Sequence, residues 1–433
     1  MRCSLALARS HRCALLALGC LAASPHSAAE AETCAGSRLR HSGLAEVRLL
    51  DVLDAPGARG VTFATWFMHA DGAGEIALFR LGLDDPAGAI PLRAIGEPHA
   101  AMRIDPSIVP IGASGDSSRW RLVGHEGARR AVVHDPRNDR IGVLGFPGGE
   151  VLHVEEQATT LLDAGARDGA LEVLYEREGA VRWLRLDGGA EPTRGLLPIA
   201  RFEPYTVDAA LVASSPGGVG PTAAVAAGRS EGRVVGFVAE LGAAGASSFW
   251  IDADVAPSGP PVVAAAGGAL AGGGRVLAIG QPRGNQGDGR IALLRAEPGG
   301  VPAEIGWLAA GTRVAPDPRA LDAGFGAWVG LAADADGDGL PELCTVSLTS
   351  SGGHRRLEVV RSRGVDGREE FLLQALGGRV AGTSLSLDPS GRFVLVAAGS
   401  EQSSGPAVVP AQALLVEIGS PSRVRARLTT ATD

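Results

Sequence analysis

The chain has 433 residues, with 40 basic residues that are all arginine, 48 acidic residues and a formal net charge of −8. A length beyond about 250–300 residues excludes one compact core and leaves several domains, a large barrel or a repeat array. An acidic balance without clustered positive charge makes nucleic acid a poor partner.

Residues 1–31 read as an export signal: Arg2, Arg9, His11 and Arg12 form a basic start, Ala14 to Ala23 an apolar core, and small residues surround Ala29 and Ala31. Its removal takes away Arg2, Arg9, Arg12 and Glu30, three positive charges and one negative, and moves the net charge from −8 to −10. The expected location is secreted, or periplasmic within the cell envelope. A lipid anchor at Cys20 is the competing reading, although Ala17-Leu18-Gly19 lacks the leucine that a bacterial lipobox places three positions ahead. Cys3 and Cys13 also fall in the signal. Cys34 and Cys344 remain, and either pair with each other or stand as a tail thiol and a buried strand thiol. No later stretch of about 18 apolar residues occurs, so the mature chain is expected to have no transmembrane helix.

Residues 32–43 form a tail, and residues 44–433 repeat. The unit is a β-rich run, a short glycine or charged turn, and a second β-rich run with aliphatic alternation. It recurs at 62–81, 120–135, 170–188, 222–241, 275–295, 341–361, and 392–399 with 412–419. The second runs start at Glu75, Arg129, Ala180, Arg233, Arg290, Arg355 and Ala413, in steps of 54, 51, 53, 57, 65 and 58 residues. Each copy is flanked by two further strand-like runs, such as 327–334 and 370–376 in the sixth, so each unit is a four-stranded meander. Helical periodicity is nearly absent. Four-stranded sheets repeated radially cover each other's faces and leave only short edges. The predicted fold is therefore all-β: a seven-bladed β-propeller of four-stranded antiparallel blades at about 45–97, 101–148, 159–200, 205–253, 261–311, 327–376 and 384–430. The last copy supplies its own outer strand within 423–430, which predicts closure without strand exchange. A monomer is expected.

Six tryptophans, Trp66, Trp120, Trp183, Trp250, Trp307 and Trp328, fall one to a copy in the first six copies and read as packing between blades. The run 264–275 opens no helix, so it reads as a glycine-rich turn and not as a phosphate cradle. Insertions at 312–324 and 400–411 read as surface loops.

One motif carries chemistry. Asp334-Ala-Asp336-Gly-Asp338-Gly339-Leu340-Pro341-Glu342 sets carboxylates at positions 1, 3, 5 and 9 of a tight loop, with Gly339 at the turn. Calcium takes six to eight hard oxygens at about 2.3–2.6 Å. Asp334, Asp336, Asp338, the Leu340 carbonyl and Glu342 or a water can supply them. An EF-hand would need a glutamate at position 12, where Thr345 stands, and flanking helices, whereas this loop joins two strands. One structural calcium ion is therefore expected.

Phe325-Gly326, Gly330-Leu331-Ala332, the Asp334 loop and Pro341-Glu342-Leu343 together resemble the FG-GAP repeat of integrin alpha-chain propellers and their bacterial relatives. Ile279-Gly280-Gln281-Pro282-Arg283-Gly284, followed by 287–294, resembles the second half of that repeat. Val143 to Gly148 and Ala226 to Gly232 are echoes of it. The family usually has Asp where Glu342 stands, and often several calcium loops. The resemblance implies a seven-bladed fold, structural calcium and an extracellular binding or adhesion role, with a protein or glycan ligand at the cell exterior.

No HExxH, CxxC or histidine pair at metal spacing occurs, and Gly112-Ala-Ser114-Gly115 misses the G-x-S-x-G pattern by one place. His69, His125, His134 and His153 read as partly exposed strand or turn residues. Glu155-Glu156 and Asp84-Asp85 read as solvated turn carboxylates. The favoured function is a non-catalytic binding or scaffold protein. The alternative, an extracellular propeller hydrolase or lyase, requires at least three polar side chains converging at one mouth of the central channel.

Overall fold

A computed structural model describes residues 47–429, outside 56–57, 69–72, 84–88, 92–97, 105–119, 126, 190, 198–200, 204–205, 214–219, 232, 243–245, 252–263, 271–273, 282–288, 298–299, 310–324, 349–354, 361–367, 374–382 and 399–411. The described residues contain strands and no helix. Among the described residues, no helix is long and apolar enough to cross a membrane.

The strands form seven antiparallel sheets. The first holds β1 (Val47–Ala55), β2 (Ala58–Met68) and β3 (Gly74–Gly82); β4 (Ala89–Pro91) then leaves for another sheet, and β5 (Ala100–Ile104) completes the first. The second is β6 (Trp120–Val123), β7 (Arg130–Asp135), β8 (Arg140–Gly145) and β9 (Val151–Glu156). The third is β10 (Thr160–Arg167), β11 (Ala170–Arg177), β12 (Ala180–Leu186) and β13 (Thr193–Leu196). The fourth is β14 (Asp208–Ala213), β15 (Pro221–Ser230), β16 (Arg233–Glu240) and β17 (Ala246–Ile251). The fifth is β18 (Ala264–Ala269), β19 (Arg275–Gln281), β20 (Arg290–Ala296) and β21 (Ala303–Ala309). The sixth is β22 (Trp328–Leu331), β23 (Leu343–Leu348), β24 (Arg355–Val360) and β25 (Arg368–Leu373). The seventh is β26 (Thr383–Leu387), β27 (Phe393–Ala398), β28 (Gln412–Glu417) and β29 (Arg423–Thr429), with β4 added in parallel at its outer edge.

The first strand of each sheet touches the first strand of the next, in the cycle β1, β6, β10, β14, β18, β22, β26 and back to β1, so the ring closes. The architecture is a seven-bladed β-propeller. Its interior is divided in the same way, because each of seven apolar clusters fills one seam between neighbouring blades. Strand alternation explains this: Ala131 and Val133 of β7 face the first blade, and Val132 between them faces the third. In β23, Leu343 faces the fifth blade, while Cys344 and Val346 face the seventh. Both faces of each central strand are therefore buried.

Several expectations change here. The first sheet runs to Ile104 and takes in residues 101–104, which the repeat spacing assigns to the second copy. The last blade does build four strands from its own copy, but β4 of the first blade laps over its edge. The run 264–275 is not simply a turn, since Ala264–Ala269 is the innermost strand of blade five. Its glycines admit a close neighbour: a Cβ on Gly267 would stand 2.3 Å from Val212 Cγ2 of blade four. Trp66 and Trp120 stack at 6.1 Å across the seam between blades one and two. Trp183 packs between blades three and four, and Trp328 is half-buried. The side chains of Trp250 and Trp307, the segment 1–46 with Cys34, and the insertions 312–324 and 400–411 lie outside the described residues.

Candidate functional site

The Asp334 loop connects β22 to β23 on blade six. Gly337 N–H donates to Asp334 Oδ1 at 2.7 Å and Gly339 N–H to Asp334 Oδ2 at 2.9 Å, while Asp338 N–H donates to Asp336 Oδ1 at 3.1 Å and Leu340 N–H to Asp338 Oδ1 at 2.9 Å. The backbone dipoles thus offset the crowded negative charge and hold each carboxylate in place. Gly337 and Gly339 take φ of 77° and 90°, in open space. Ligand atoms of Asp334, Asp336 and Asp338 all lie within 4.8 Å of one another. Two oxygens on one calcium at about 2.3–2.6 Å are at most about 5 Å apart. The three aspartates fit that ion, and they are exposed or half-buried.

Glu342 behaves differently. It is buried to 1%, and its Oε1 accepts from Ala335 N–H at 3.1 Å while its carbonyl accepts from Ala332 N–H at 2.8 Å. Its carboxylate ties the loop's two ends together and is not one of the three that converge. Leu340 is half-buried beside the cluster in sequence.

Beneath the loop, Cys344 is a free, fully buried thiol whose pKa is pushed up, first by burial and then by the charge of Glu342. Such a thiol is inert. Ahead of the loop, Phe325 is 2% exposed in the seam with blade five, where a Cβ on Gly280 would stand 1.9 Å from Gly326 O. Phe325-Gly326 is therefore a docking element between blades.

The loop is also joined to blade seven. Ala333 N–H donates to Gly391 O at 2.9 Å, and Gly391 sits at φ 70° in the Asp388-Pro-Ser-Gly-Arg392 turn. Asp388, 4% exposed, holds that turn by accepting from Ser390 N–H at 2.9 Å and Phe393 N–H at 2.5 Å. The cross-blade partner Gly391 carries no signal that the Asp334 motif alone reveals.

Several polar side chains of the innermost strands tie blades together. In β1 and β10 the repeated Leu-Leu-Asp, at 49–51 and 161–163, contains a β-bulge that re-aims the aspartate. Asp163 Oδ1 accepts from Arg121 Nε of blade two at 2.9 Å, and its Oδ2 accepts from Leu211 N–H of blade four at 2.9 Å. Arg121 also donates at 3.0 Å to the carbonyl of Leu162, the residue the bulge leaves out of register. Asp51 pairs with Arg129 of blade two, and Asp208 Oδ2 accepts from Ala265 N–H of blade five at 3.0 Å. Blade two is thus held by an ion pair on each side.

A second buried group sits between blades two and three. Glu155 accepts from Tyr175 Oη–H at 2.9 Å and Arg194 Nε–H at 3.0 Å, and lies 3.1 Å from His153 Nε2. Burial would raise the Glu155 pKa, but the bonds from Arg194, His153 and Tyr175 outweigh it and hold it below the ordinary value. Tyr175 is pushed up to about 12 by burial and by the Glu155 charge. Glu155 is therefore a buried strand residue and not a solvated turn carboxylate, although Glu156 is exposed. His134, expected to be partly exposed, is 3% exposed in β7 because both faces of that strand are covered. His125 is exposed and His153 half-buried, while His69, Asp84 and Asp85 lie outside the described residues.

The fold places the chain in the class of seven-bladed β-propellers. No protein-family model matches its sequence, and no curated protein matches it. Among solved structures, Hsv2 of Kluyveromyces lactis is similar with a TM-score of 0.46 at 9% identity, covering 88% of this chain and 99% of that one. Virginiamycin B lyase of Staphylococcus aureus gives 0.40 at 11%, over 82% and 96%. A prolyl endopeptidase gives 0.46 at 13%, over 90% of this chain but 51% of the other, so the chain spans about half of that enzyme.

Proposed function

We propose that this chain is an exported, non-catalytic binding or scaffold propeller of the FG-GAP type, stiffened by one calcium ion at Asp334, Asp336 and Asp338. The observation that carries the reading is the convergence of those three carboxylates on a loop whose backbone amides already hold them in place. Its place between strands, with Phe325-Gly326 docked in the preceding seam, supports the resemblance to that repeat. Leu340 supplies a backbone carbonyl, and water completes the shell. Glu342 braces the loop from inside. The reading of residues 1–31 as an export signal supports a location outside the cytoplasm, where calcium is abundant, with a protein or glycan at the cell exterior as the partner. Asp51, Arg121, Asp163 and Asp208 of the innermost strands serve as ties between blades, so we assign them no catalytic step.

The ion binds the folded state, so it stabilises by RT ln(1 + [L]/Kd), about 2.7 kcal/mol at a hundredfold excess over Kd. Thermal unfolding is compared in excess calcium and in excess chelator, for the natural protein and for Asp336→Asn. The melting temperature of the natural protein falls on chelation and that of the variant does not. An identical melting temperature for the natural protein under both conditions rejects the ion.

A further inference from the structure

Every ring of sheets has one seam where the end of the chain meets its beginning, and here that seam is tied at the hub, through the core and at the rim. At the hub, Val47 N–H donates to Ser384 Oγ at 3.2 Å and Leu49 N–H to Ser386 Oγ at 2.9 Å. Through the core, Phe63, Phe79 and Leu81 of blade one pack with Phe393, Leu415 and Leu428 of blade seven. At the rim, β4 pairs in parallel with β29, with Ala89, Ile90 and Pro91 opposite Arg427, Leu428 and Thr429.

The rim contact is the unusual one. β3 and β5 are neighbours in one antiparallel sheet, and such neighbours are ordinarily joined by a loop of about two to five residues. Here the chain between Gly82 and Ala100 instead places a strand on a different blade. Leu83, the first residue after β3, packs on the shared core of the same seam, and His99 N–H rejoins the first sheet at Leu78 O, 2.7 Å away. The described residues of the detour contribute no strand to their own sheet. What it adds is backbone pairing for β29, which would otherwise be a bare outer edge.

We propose that β4 is a rim strap that latches blade seven to blade one, so that ring closure depends on an internal segment of the first blade and not on strand exchange with a chain end. The strap engages only once the last blade has docked, and opening of this seam requires its release. It also occupies the edge through which blade seven could pair with another chain.

Native-state hydrogen exchange tests this on the full chain. In the natural protein, the amides of Ala89 and Ile90 are protected to within about tenfold of those of Arg427 and Leu428, because one opening exposes both strands. Replacing 84–97 by a Gly-Ser linker long enough to rejoin Leu83 to Pro98 speeds exchange in 423–429 by about tenfold or more, and leaves β16 in blade four unchanged. Exchange of Ala89 and Ile90 at the rate of an unstructured peptide in the natural protein overturns the proposal even if the variant does not fold. Unaltered protection of 423–429 in a folded variant overturns it as well.

Discussion

Gly391→Ala probes the junction between the Asp334 loop and blade seven, and its cost can be built from three parts. Gly391 adopts φ 70°, a conformation that costs a residue with a Cβ about 1–2 kcal/mol. The added Cβ would stand 2.7 Å from Ala333 N and 3.1 Å from Ala332 C, both backbone atoms that cannot swing aside. Relief of that contact pushes Ala333 away from Gly391 O and forfeits their 2.9 Å hydrogen bond, worth about 0.5–1.5 kcal/mol. Together these come to about 1.5–3.5 kcal/mol. Gly339→Ala is the internal control: it has φ 90°, but its Cβ would meet nothing within 4 Å, so only the conformational cost of about 1–2 kcal/mol applies. Denaturant unfolding followed by tryptophan fluorescence gives the midpoints of both variants. A midpoint for Gly391→Ala no lower than that for Gly339→Ala would refute the claim that the loop and the Asp388 turn form one unit across the seam.

Asp163→Ala strands both the Arg121 guanidinium and Leu211 N–H and is expected to cost about 3 kcal/mol, whereas Asp163→Asn keeps one acceptor and costs roughly half as much; equal midpoints for the two would remove Asp163 as a tie across three blades. Glu155 and Glu417 both titrate below the ordinary value when folded, because hydrogen bonds from Arg194, His153 and Tyr175, and from Arg392 and Arg425, outweigh burial. Their contribution is present above the unfolded pKa of about 4.5 and is lost as the pH falls through the folded values, so Glu155→Gln is less stable at pH 7 and shows a flatter decline in acid, measured by unfolding midpoints across that range. Cys344 resists a thiol reagent in the native protein and reacts only on unfolding, which mass spectrometry of the labelled chain checks.

Much of the candidate site was legible in the chain because it is local. Asp334, Asp336, Asp338 and Gly339 lie within one turn, and only nearby backbone is needed to gather the carboxylates. Glu342 shows where that reasoning stops: its spacing suits a ligand, but its burial turns the carboxylate inward to Ala335. Glu155 and His134 are buried for the same reason, since a polar strand residue that local pattern leaves solvated is covered once the neighbouring blade lies over it.

The spacing of strand-forming runs along the chain is enough to specify a ring of seven small sheets. Strand alternation and turn residues act over a few positions, and the interval of 51 to 65 residues repeats them openly. The joints between blades emerge only in three dimensions: Arg121 with Asp163, Gly391 with Ala333, and β4 with β29. These partners lie on different blades, and their pairing depends on the distance and tilt between neighbouring sheets. That geometry exists only once the ring has closed, so no local pattern of residues encodes it.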